Sequence, residues 1–136
     1  MASTTIRSIL SVVAGWATVG VLVVATDGLL KALFPDRYVA GRLPPDSLAA
    51  LSLATSTLWS IAGGWVTARL APVKPWHHIL GLILWGELLG FVSAALSWGE
   101  VQMWYQVGLL LLWTPAVCLG GWLRAGKPPF QAASVS

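Results

Sequence analysis

Four apolar stretches, each close to the length of a bilayer-crossing helix, fill most of this chain and leave only short polar joints between them. They cover about residues 9–33, 48–70, 77–98 and 104–123. A helix needs about 20 mostly apolar residues to cross the hydrocarbon core. Pro72 and Pro75 interrupt the chain after the second stretch, and Pro128 and Pro129 after the fourth. Pro44 and Pro45 precede Asp46 and Ser47, either of which can cap the second helix. The expected fold is all-α: one integral membrane four-helix bundle over residues 1–136, antiparallel and up-down. Composition agrees, since only 10% of residues are charged and 57% are hydrophobic. A soluble domain carries roughly a quarter charged residues. The natural solvent for this surface is lipid. The net charge of +3 comes from scattered basic residues, which is no nucleic-acid footprint. A single cysteine, Cys118, excludes an internal disulfide, a cysteine zinc site and chemistry that needs a cysteine pair.

Lys and Arg set the orientation. One side collects Arg7, Arg69, Lys74, Arg124 and Lys127; the other collects Lys31, Arg37 and Arg42, among Asp27, Asp36, Asp46 and Glu100. Five basic residues against three put the first side, with both termini, in the cytoplasm. The first stretch also has features of a signal peptide: Arg7, an apolar run, then small residues near Ala25. Cleavage would leave three crossings and an external amino terminus. The run continues through Leu29, Leu30 and Leu33, longer than a usual signal core, and reads as a crossing. Trp76, Trp98, Trp104 and Trp122 fall at stretch ends, where an indole N–H stays wet; Trp16, Trp59, Trp65, Trp85 and Trp113 lie deeper and read as packing residues.

Small residues mark the packing faces. Ser52, Ser56, Ser60, Gly64 and Ala68 recur every fourth residue in the second stretch. The third has Gly86, Gly90 and Ala94, and the fourth Ala116 and Gly120, with Pro115 expected to bend it. In lipid, close backbone approach along such ridges supplies the packing energy. Ridges of this kind are expected to leave little room for a cavity, which weighs against a monomeric transporter. Ile61-Ala62-Gly63-Gly64-Trp65 also resembles Leu119-Gly120-Gly121-Trp122, each followed by Arg and then Pro at different spacings. This reads as two hairpins in tandem about an axis along the membrane normal.

Glu87 falls near the middle of the third stretch. A charge there costs about 2.5–3.5 kcal/mol on insertion scales. No Lys or Arg shares its depth, so a neutral, hydrogen-bonded carboxylic acid is the expected form, with Ser60 or Thr57 as partner. Its two readings are a proton or cation site and a structural bridge between helices or subunits. Asp27 precedes Lys31 by four residues, the spacing of a helical ion pair, and reads as a salt-bridge or interfacial residue. His77 and His78 are adjacent, and one helix turns them about 100° apart, so together they cannot clamp a haem from both faces. One of them can give a single axial bond to a haem or chlorophyll shared with a partner chain. The plainer reading is an interfacial pair, and no cofactor is required. Asp36, Arg37, Tyr38 and Arg42 hold most of the outer polar chemistry.

The run Gly63-Gly64-Trp65-Val66-Thr67-Ala68-Arg69-Leu70-Ala71-Pro72, with His77 or His78 after it, resembles a widespread group of small, mostly uncharacterised bacterial four-helix membrane proteins. Trp104-Tyr105, and Gly120-Gly121 followed by Arg124, are similar to that group as well. The resemblance covers most of the chain. It implies a bacterial inner-membrane setting and the same four-crossing topology, and it brings no activity.

No catalytic constellation is present, so the chain is not expected to be an enzyme. The leading expectation is a non-enzymatic accessory or scaffold subunit of a larger membrane assembly, such as an energy-transducing complex, with the lipid bilayer and other membrane subunits as partners. The alternative is a small homo-oligomeric proton-coupled transporter or channel using Glu87.

Overall fold

The computed structural model describes residues 2–126, so Lys127, Pro128 and Pro129 lie outside the described residues. The described residues form four helices: α1 (Ala2–Leu33), α2 (Asp46–Leu70), α3 (Pro75–Leu96) and α4 (Met103–Ala125). No strand occurs among them. α1, α3 and α4 are each long and apolar enough to cross a membrane. α1 begins at Ala2, ahead of the apolar stretch, and α3 ends at Leu96, where a turn takes over.

α2 is 25 residues long but the least apolar of the four, and the reason lies in its surroundings. It packs against α1 and α4 and also touches α3. The ridge Ser52, Ser56, Ser60, Gly64 and Ala68 is buried throughout. Part of the helix's polarity is quenched locally. Ser60 donates to the Ser56 carbonyl at 2.8 Å and Thr57 to the Leu53 carbonyl at 2.8 Å. Such bonds to the preceding turn leave little hydroxyl polarity unspent.

The helix starts and ends follow backbone rules more than side-chain caps. Pro45 occupies the cap position of α2, with Asp46 already in the first turn, and neither Asp46 nor Ser47 caps it. Lys74 precedes Pro75 at φ 43°, the left-handed region, and so turns the chain from α2 into α3. Pro115 lies within α4 without ending it.

Two ends of the bundle differ in how they are held. The near end gathers the starts of α1 and α3 and the ends of α2 and α4. There the helices touch backbone to backbone. A methyl group added at Gly15 would lie 2.8 Å from the Gly63 carbonyl oxygen, and one at Gly63 would lie 2.9 Å from that of Gly15. Gly64 faces the Val117 carbonyl, and Gly120 faces the Ile61 carbonyl, both closer than any Cβ could approach. These last two contacts are exchanged by one shift of 56 residues, from 64 to 120 and from 61 to 117. The Gly-Gly-Trp match itself (Gly63 to Gly120) requires 57, a slip of one residue. Around these glycines sits the core of Ala68, Trp76, Ile79, Leu82, Ile83 and Val117. Thr67 donates across to the Ser11 carbonyl at 3.0 Å, and the Trp76 indole donates to the Gly126 carbonyl at 3.1 Å.

At the far end α3 packs more loosely than the other helices. Beyond Ile83, α3 has no buried residue. Gly86 receives the Trp113 ring, whose indole donates to the Ile83 carbonyl at 3.1 Å, and Gly90 touches Leu110. The outer faces are apolar: Leu96 is 80% exposed and Leu84 71%.

Candidate functional site

The polar side chains of three helices converge at the far end. Asp27 comes from the last two turns of α1, Ser52 from the second turn of α2 and Tyr105 from the first turn of α4. Ser52 donates to Asp27 Oδ1 at 2.8 Å, and its oxygen lies 3.2 Å from the Tyr105 hydroxyl. A serine has one proton to give. With that proton on Asp27, Tyr105 must be the donor to Ser52. The chain of hydrogen bonds therefore has a direction, from phenol to serine to carboxylate.

Asp27 thus bonds across helices to Ser52, in place of the helical pair with Lys31 that the spacing predicts. Among the described residues no Lys or Arg is paired with it. Lys31 stays exposed, and a long lysine at a wet helix end has little to gain from a fixed partner.

Two cavities meet at this cluster. One, of about 500 Å³, is bounded by Asp27, Lys31, Tyr38, Arg42, Ser52, Gln102 and Tyr105, with Glu100 at its edge. The second, of about 350 Å³, runs between the helices and is lined by Val19, Val23, Ser56, Ser60, Gly86, Gly90, Ala94, Leu109 and Trp113. Val101 and Tyr105 border both. The expectation of little internal room is therefore corrected. Gly86, Gly90 and Ala94 of α3 do not close tightly on α2. They line a void because α3 leaves the core after Ile83.

Neighbouring side chains hold the site in place. Gln102 is 8% exposed and donates to the Pro44 carbonyl and to Asp46 Oδ1, which ties the start of α4 to the α1–α2 loop. Its own Oε1 is buried without a hydrogen-bond partner. Gln106 donates to the Ser97 carbonyl at 3.1 Å, fixing the α3–α4 turn. The Trp59 indole donates to Thr26 Oγ1 at 2.9 Å, one residue before Asp27. Burial, then the nearby Asp27 carboxylate and Tyr105, raise the Tyr38 phenol above its ordinary value of 10.0, so it is neutral at physiological pH.

Glu87 lies elsewhere. It is half-buried at the α3–α4 seam and accepts a hydrogen bond from Thr114 Oγ1 at 3.0 Å. The expected partners, Ser60 and Thr57, spend their protons on their own helix. Glu87 borders neither cavity. His77 is exposed at the start of α3, and His78 Nδ1 lies 3.2 Å from the Lys74 carbonyl. Neither borders these two cavities.

Sequence reasoning read Asp27 as an ion-pair or interfacial residue and did not single out Gln102 or Tyr105 as site residues. A signal was present, because Gln102, Tyr105 and Gln106 recur at three- and four-residue spacing on one face of an otherwise apolar helix start. The chain matches no family model, no curated protein and no solved structure.

Proposed function

We propose that this chain is a four-crossing protein of a bacterial inner membrane, with both termini cytoplasmic, and that it serves as a non-enzymatic accessory or scaffold subunit of a larger membrane assembly. The observation that carries this reading is the bond from Thr114 to Glu87. A carboxyl group that drives proton-coupled transport must be reached by solute or water. Glu87 is instead engaged by the neighbouring helix, outside both cavities, as a bridging group is.

Support for the antiparallel crossing comes from the order of contacts. Ser11 meets Thr67 while Asp27 meets Ser52, so α1 and α2 run opposite ways. Glu87 meets Thr114 while Ser97 meets Gln106, so α3 and α4 do the same. α2 joins the crossing set although it is the least apolar, because its buried hydroxyls are satisfied inside the bundle. The basic residues of the near end then face the cytoplasm. The exposed apolar faces of α3 and α4 offer surface for both lipid and a partner subunit.

The test is extraction from the native membrane in mild detergent, followed by native gel separation and mass spectrometry of what comigrates. Migration with fixed partners in a large complex is the expected result. Migration alone as a small homo-oligomer overturns it and favours the Glu87 transport reading.

A further inference from the structure

We propose that the two adjacent cavities, which share Val101 and Tyr105, form one binding site for a lipophilic amine, whose ammonium group is held by Asp27 beside Tyr105 and whose apolar body extends between the helices. The polarity of the hydrogen-bond chain is the first argument. The Ser52 proton is given to Asp27 and the Tyr105 proton to Ser52. At the neck, what remains to be offered is acceptor capacity: the second oxygen of a half-buried carboxylate that has no cationic partner among the described residues. A charged N–H donor is the complement of that arrangement, and such bonds are roughly twice as strong as neutral ones. Tyr105 and Tyr38 border the same space, and aromatic rings attract cations.

The donor set fits an organic cation better than a metal ion. Among the described residues no three His, Cys, Asp or Glu side chains gather as a metal site would need. Beyond Tyr105 the lining is mostly apolar, with Val19, Val23, Leu109 and Trp113 beside Ser56, Thr57 and Ser60. At about 500 and 350 Å³ the two compartments lie in the usual range for small-molecule sites. The polar compartment opens among exposed Lys31, Arg42 and Glu100, a mouth of mixed charge. Asp27 is half-buried where those three are exposed, so the cationic head belongs at its carboxylate and the hydrocarbon beyond.

Asp27, Ser52 and Tyr105 all belong to this chain, so the site does not depend on which assembly the chain joins. The full chain is placed in zwitterionic lipid nanodiscs, and equilibrium binding of radiolabelled dodecylammonium is measured against empty nanodiscs. Saturable binding is expected, tightening from butylammonium to dodecylammonium and resisting competition by dodecanol or dodecyl phosphate. Asp27→Asn should weaken it by at least about tenfold and Ser52→Ala by less. Binding that never saturates, that is unchanged in Asp27→Asn, or that dodecyl phosphate displaces as well as an amine does, overturns the proposal. If Asp27→Asn does not fold, the competition series on the unaltered protein decides it.

Discussion

Gly64 rests on the main-chain carbonyl of Val117, with no side chain between α2 and α4. Because the obstacle is backbone, it cannot rotate away. Gly64→Ala is therefore expected to cost about 1–3 kcal/mol through overpacking. Gly20→Ala is the control, since nothing lies within 4 Å of a methyl group there. It should be neutral or stabilising by about 0.5–1 kcal/mol, as a helix interior prefers Ala. Thermal unfolding of both variants in one detergent checks the pair. Equal behaviour would mean that the contact does not hold the bundle.

Glu87 accepts from Thr114, and an amide oxygen accepts as well as a carboxyl oxygen. Glu87→Gln should keep stability within about 0.5 kcal/mol of the parent, and Glu87→Leu should lose about 1 kcal/mol with the hydrogen bond. Urea or thermal unfolding distinguishes them. In a transport assay on reconstituted protein, Glu87→Gln should leave any flux unchanged; abolished flux would make Glu87 a coupling group.

The helices were legible from the sequence because apolar length and proline placement are local properties. The buried ridge of α2 was legible too, since fourth-residue spacing puts Ser52, Ser56, Ser60, Gly64 and Ala68 on one face in any straight helix. The partners of polar groups were not. Whether Asp27 turns to Lys31 or to Ser52, and Glu87 to Thr114 or to Ser60, depends on helix rotation and neighbour choice, which no single-helix period contains. The cavities escaped for a related reason. Small residues on α3 close a gap only where the helix stays against the core, and its departure after Ile83 is set by tertiary packing.

Lys74 adopts φ 43° in the turn between α2 and α3. A left-handed residue with a Cβ costs roughly 1–2 kcal/mol. Lys74→Gly should therefore raise stability by about 1 kcal/mol, read as an increase in the thermal midpoint of the purified protein. A fall would show that the Lys74 side chain contributes more than its backbone costs.

Cysteine labelling tests the orientation. In a Cys118→Ala background, Arg37→Cys in the α1–α2 loop should react with a membrane-impermeant maleimide added to cells whose outer membrane has been made permeable. Lys74→Cys in the α2–α3 turn should react only after the inner membrane is opened. The reverse pattern would invert the topology, and equal labelling of both would mean dual insertion.

A set of rods welded at one end and loosely tied at the other has its compliance at the free end. Here the weld is main chain on main chain at Gly15, Gly63, Gly64 and Gly120, while the ties are side-chain tips at Ser52, Gln102, Tyr105 and Gln106. Rotatable bonds yield where carbonyls cannot. Beyond Ile83, α3 is held by side chains alone, with Trp113 on Gly86, Thr114 at Glu87 and Gln106 at Ser97. The same load that leaves the welded end in register can change the width of the gap beside Gly86 and Gly90.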